Sequence, residues 1–134
     1  MEIKGGCLCG AVRYTAEADP TSATVCHCRD CQKFTGSAFA ALVRATKEAV
    51  TIQGTLRTFT SIGGSGNPIL KHSCPDRDSS IAEGPGTRPG LVILHVGTSD
   101  DPTVANPGRE IFYDDALPWV KVHGEIPRFA KRPD

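Results

Sequence analysis

The 134-residue chain predicts an all-β fold with very little helix. Three observations carry that expectation. Its 14 glycines and 10 prolines are spread through the sequence and divide it into segments of about five to nine residues, the length of strands. Most of these segments are rich in β-branched residues. No window carries apolar residues at helical spacing over the ten or more positions a helix needs.

Residues 11–16 alternate, with Val12, Tyr14 and Ala16 on one face and Arg13 and Thr15 on the other. Residues 37–43 form a small, mostly apolar run suited to a buried strand. Further strands are expected over 50–53, 56–61, 69–73, 79–82, 90–96, 111–113 and 120–122. Two short helical turns stand out. One spans 29–35 and is stopped by Gly36; another starts at Asp101-Pro102, where Asp100 and Asp101 are read as turn caps. Segments 61–67 and 83–89 read as glycine-rich loops. Without repeats or a composition break, residues 1–134 are read as a single domain. Trp119 is expected in the core, and the basic tail after Pro127 is expected to fray.

Fifteen basic residues balance fifteen acidic ones, and the pI is about 6.9. That balance offers no global attraction for nucleic acid or an anionic membrane. No apolar run approaches the ~20 residues that span a bilayer, and the start lacks a signal-peptide core. The expected location is the cytoplasm, where thiols stay reduced and clustered cysteines more often bind metal than form disulfides.

Chemistry concentrates in Cys26-His27-Cys28-Arg29-Asp30-Cys31. Structural zinc is normally closed by four protein ligands, whereas catalytic zinc keeps three and leaves one position to water or substrate. Three thiols at this spacing therefore point to a catalytic-type site. His27, between two ligands, is expected to point away from the metal. Cys7-Leu8-Cys9 and Cys74 make a second, incomplete set. A Cys-Pro-x-Cys-Gly turn commonly aims two thiolates at zinc, but here the second cysteine position is Arg77 and the glycine position is Asp78. Arginine has no lone pair to give. The first set is expected to retain zinc, and the second to be empty, weak, or completed by water or an acid. His72, Asp76 and Asp78 are the weak candidates for that fourth ligand, and Arg77 itself is a candidate partner for the thiolates.

Taken in order, Gly5-Gly6-Cys7-Leu8-Cys9-Gly10-Ala11-Val12-Arg13-Tyr14, the Cys26 to Cys31 run, Thr35-Gly36-Ser37 and Cys74-Pro75 resemble the glutathione-dependent formaldehyde-activating enzyme family, which includes centromere protein V. Gly97-Thr98-Ser99-Asp100-Asp101-Pro102 and Leu117-Pro118-Trp119 extend the likeness, which runs over about residues 4 to 128. The resemblance implies a β-tent of stacked antiparallel sheets. It also implies catalytic-type zinc on Cys26, Cys28 and Cys31, and structural zinc at the site that includes Cys7, Cys9 and Cys74. The implied activity is that of a carbon-sulfur lyase acting on a thiol-aldehyde adduct such as S-hydroxymethylglutathione. Its partners are then a small thiol, glutathione or another, and an aldehyde such as formaldehyde. Arg29 and Lys33 are candidates to receive the thiol's carboxylates, and the turn at Gly36 and Ser37 is a candidate hydrogen-bond donor. Two other readings remain open. One is a non-catalytic zinc module that binds protein, as in the Rab exchange accessory factors. The other is a thiol redox protein cycling a Cys28–Cys31 disulfide.

Overall fold

The computed structural model describes residues 1–122 and 124–133, and they form two sheets. The smaller holds β1 (Glu2–Gly6), β2 (Arg13–Glu17) and β5 (Val50–Gln53), all antiparallel. The larger comprises β3 (Ala23–Cys26), β4 (Ala40–Thr46), β6 (Arg57–Ile62), β7 (Pro68–Ser73), β8 (Ser80–Pro85), β9 (Leu91–His95) and β10 (Pro107–Ile111). Its order is β10-β3-β4-β9-β8-β7-β6. Among the described residues one α-helix forms, α1 (Arg29–Thr35), and it follows β3 directly. The all-β expectation holds, with one amendment: β10 pairs with β3 in parallel.

The main core lies between the sheets. Ile3, Val12, Tyr14 and Ala16 from the small-sheet region meet Val43, Ile81, Ala82 and Leu94 from the large one. Each fully buried Val, Ile or Leu stabilises the fold by about 1.5–3 kcal/mol. The second cluster joins Cys26, Cys28 and Cys31 to Ala40, Leu42, Ile111 and Phe112. The cysteine run is therefore part of a hydrophobic wall.

Two strands lie wholly outside the sequence expectation. β1 ends in Gly5-Gly6, a poor strand signal, yet glycine is required there. A Cβ on Gly5 would sit 2.3 Å from the Thr98 carbonyl oxygen and 2.4 Å from the Tyr14 hydroxyl. β3 is buried at all four residues because both its faces are covered, Ala23 joining the main core and Cys26 the second cluster, so it shows no alternation.

The C-terminal expectations change most. Residues 120–122 form no strand, and of the expected 111–113 strand only Ile111 belongs to β10. The exposed edge of β10 is instead covered by the tail. Glu110 N donates to Pro127 O and Phe129 N to Glu110 O, both at 2.9 Å, and Phe112 N donates to Lys131 O. The tail after Pro127 is thus hydrogen-bonded where fraying was expected, because the last sheet edge offers it unpaired backbone groups. Trp119 is 71% exposed and packs into neither core cluster, contrary to its expected burial.

Candidate metal centre and active site

The end of β3 and the first turn of α1 bring the Cys26, Cys28 and Cys31 sulfurs within 4.8 Å of one another. Cys28 caps the helix: its Sγ accepts from the Cys31 backbone N–H at 3.3 Å. Gly36 ends the helix in the left-handed conformation, φ 66°, as its position in the sequence predicts. All three cysteines are buried and unbridged. Hydrogen bonds from the Cys26 and Cys31 thiols pull the Cys28 thiol far below its ordinary pKa, while the same sharing pushes Cys26 and Cys31 up. A divalent cation displaces such shared protons, so this donor set fits a thiophilic metal.

His27 turns away from the trio, as strand alternation predicts. Its Nε2 lies 2.8 Å from Glu110 Oε1, and Arg128 Nε donates to Glu110 Oε2 at 2.6 Å. Gln32 Nε2 donates to the His27 carbonyl. The peptide between the two cysteines is therefore anchored from behind by β10, α1 and the tail.

In front of the trio lies a cavity of ≈ 80 Å³ that sequence reasoning did not anticipate. Besides the cysteines, Leu42, Ile93 and Phe112 form apolar walls, and Asp30, Lys71 and Glu83 supply charge. Lys71 is only 3% exposed, yet its Nζ reaches Asp30 Oδ2 at 2.6 Å and Glu83 Oε2 at 3.0 Å. The Phe34 ring lies 5.1 Å away, and His95 Nε2 meets Glu83 Oε2 at 3.3 Å. Burial alone would discharge Lys71, but the two carboxylates outweigh it and raise its pKa. Burial likewise opposes the Glu83 charge, and His95 and Lys71 reverse that, leaving its pKa lowered. Glu83 was read as the start of a loop. It belongs to β8, opposite Lys71 of β7, because register sets the pair and the Gly84-Pro85 signal only marks the strand's end.

The predicted substrate-binding residues lie elsewhere. Arg29, Lys33, Gly36 and Ser37 are exposed and none lines the cavity. Arg29 donates to Gln32 Oε1 on its own helix, and Ser37 N donates to Thr35 Oγ1. Of the capping aspartates, Asp101 accepts from Thr103 N, whereas Asp100 instead receives the Arg13 guanidinium.

The second trio also forms. Cys7 and Cys9 sulfurs are 3.1 Å apart, Cys9 and Cys74 sulfurs 3.6 Å apart, and all three fall within 4.8 Å. Burial opposes ionisation of Cys7, but the Val12 amide and the neighbouring thiols outweigh it and bring its pKa down to about 6. The knuckle turn survives its altered sequence: Asp78 adopts the left-handed conformation, φ 57°, and its N–H donates to Cys74 O. Arg57 braces it by donating to Asp78 Oδ1 and Pro75 O. Arg77 is exposed, its Nη1 donating to Asp76 O, and among the described residues no carboxylate or histidine completes the set.

Fold and site together define an all-β protein with two cysteine trios, each able to hold a metal ion. The sequence profile of the glutathione-dependent formaldehyde-activating enzyme family matches residues 2–115, and the chain belongs to that family. A crystal structure of a Rhodobacter sphaeroides protein shares the fold, with a TM-score of 0.59 at 20% identity over 93% of this chain and 98% of that one. No curated protein matches the sequence. Among the described residues no helix is long and apolar enough to cross a membrane.

Proposed function

We propose that the protein is a zinc-dependent carbon-sulfur lyase that makes or cleaves a thiol-aldehyde adduct such as S-hydroxymethylglutathione. The observation that carries this reading is the convergence of three buried sulfurs, with no fourth protein donor among the described residues, on the wall of a cavity that also holds a buried ammonium. Family membership supports the thiol and the aldehyde.

Cys26, Cys28 and Cys31 would hold the zinc. Bound there, zinc supplies a position at which an incoming thiol loses its proton and is kept as a nucleophile. Joining that sulfur to an aldehyde carbon moves the carbonyl electron pair onto oxygen. Lys71 answers this charge. An ammonium has three N–H donors, and two are taken by Asp30 and Glu83, so one remains for the adduct oxygen. The carboxylates keep the ammonium charged and aimed, so the donor needs no reorganisation as charge develops. Leu42, Ile93 and Phe112 exclude water around it. The proton lost by the thiol ends on the adduct oxygen, so the step balances without another reactant; cleavage runs the same steps backwards, with that proton returning to the sulfur as the carbon-sulfur bond breaks.

The test is a turnover assay on zinc-loaded protein with glutathione and formaldehyde, followed in both directions. Turnover is expected, with Cys28→Ser abolishing both metal retention and activity. Zinc-loaded protein that neither binds glutathione nor turns the adduct over would remove the proposed substrate.

A further inference from the structure

The Cys7/Cys9/Cys74 trio differs from the first in what stands in front of it. Cys9 is exposed and lines a broad cleft with Gly10, Ala11, Pro75, Asp76 and Arg77. The Cys74–Asp78 turn keeps the conformation of a metal knuckle, as Asp78 at φ 57° and its N–H bond to Cys74 O attest. Yet the residue that would close the coordination shell is a guanidinium, and that group is on the cleft wall.

We infer that a metal held by this trio, where the family resemblance implies a closed structural site, instead keeps a solvent-facing exchangeable position, and that the ligand class taken there is a small thiol carrying a carboxylate. Three thiolates around a divalent metal leave one position and a net charge of minus one. A soft donor suits a sulfur-rich metal better than water does. A further thiolate adds negative charge, and Arg77 supplies a cation on the same cleft wall for it or for the ligand's carboxylate. The cleft is broad and open to solvent, so a small ligand can reach the sulfurs from outside. This inference goes beyond the proposed function and does not depend on it, since the two trios are separate.

Full-length protein loaded with two equivalents of cobalt(II) tests it, with mercaptoacetate titrated by calorimetry and by the cobalt absorption. Wild type is expected to bind one more equivalent of mercaptoacetate than Arg77→Cys, whose added sulfur closes the second site. Arg77→Ala should keep the wild-type stoichiometry but lose about a two- to fivefold preference of that site for mercaptoacetate over uncharged 2-mercaptoethanol, the worth of one exposed ion pair. Equal stoichiometry in wild type and Arg77→Cys overturns the inference, as does protein that retains only one cobalt. Should Arg77→Cys fail to fold, wild type and Arg77→Ala decide by themselves: a single cobalt, or no preference change at any bound thiol, overturns it. One thiol on wild type and none on Arg77→Cys would support this site while sinking the lyase reading. One thiol on each would do the reverse.

Discussion

Lys71 and Glu83 stand directly opposite each other on β7 and β8, and their side chains meet at 3.0 Å in the interior beside the cysteine trio. Asp30, one residue before Cys31 on α1, closes on the same ammonium at 2.6 Å. A charge cluster of this kind is costly unless complete, because a lone buried ion loses its hydration without compensation.

Removing the cation should therefore be severe. Lys71→Met leaves Asp30 and Glu83 facing each other without their shared cation, with His95 still beside Glu83, and is expected to destabilise the protein by about 3–5 kcal/mol. Urea denaturation of the metal-loaded protein measures it. Lys71→Met with Glu83→Gln and Asp30→Asn should recover much of that loss but none of the turnover. Full turnover in the triple variant would rule out Lys71 as the donor to the adduct oxygen.

Stability should fall in acid partly through Glu83. Its folded pKa lies below the unfolded value of 4.5, so the folded state favours the carboxylate. That contribution is present above pH ~4.5 and is lost as pH drops through the depressed folded value. Glu83→Gln should have a flatter stability profile than wild type in this range. Parallel acid profiles would contradict the assignment.

The tail should matter more than its position at the end of the chain suggests. Arg128 is the cation on the far side of Glu110, whose side chain is 2% exposed, and that carboxylate also holds His27. Arg128→Ala is expected to cost about 1–3 kcal/mol through the partner left in place. It should also loosen metal binding at the first trio, read by competition with a chelator, because His27 lies between two ligands.

A surface pair supplies the contrast. Arg13 and Asp100 make a two-pronged ion pair, but their side chains are 43% and 53% exposed. Arg13→Ala should cost no more than about 1 kcal/mol, and the difference from wild type should shrink in high salt.

The site was legible in the sequence where its logic is local. Three cysteines in six residues, a helix opened by Cys28 and stopped by Gly36, and the turn of His27 away from the trio all follow from spacing within one strand-to-helix corner. The tandem Asp101-Pro102 turn was readable for the same reason. What stayed hidden depends on register. Lys71 and Glu83 are ordinary charges in their own segments, and only the pairing of β7 with β8 makes them neighbours. Alternation gave no warning, since Lys71 shares its strand face with both Ile69 and Ser73. β3 hid because an inner strand buried at every residue has no alternation to read. The last strand, β10, begins at Pro107-Gly108, a pair that normally marks a turn. Arg29 and Lys33 adjoin the cysteines in sequence, and α1 presents both to solvent outside the cavity lining.

The central claim is a metal gripped by Cys26, Cys28 and Cys31 with its remaining side open to the cavity of Lys71. Crystals of zinc-loaded protein soaked with glutathione, with anomalous data at the zinc edge, test it most directly. The account predicts a zinc peak bonded to those three sulfurs and to the glutathione sulfur, with Lys71 Nζ facing the cavity beside it. A zinc-free trio under metal-replete conditions, or a fourth ligand supplied by the chain itself, would contradict it.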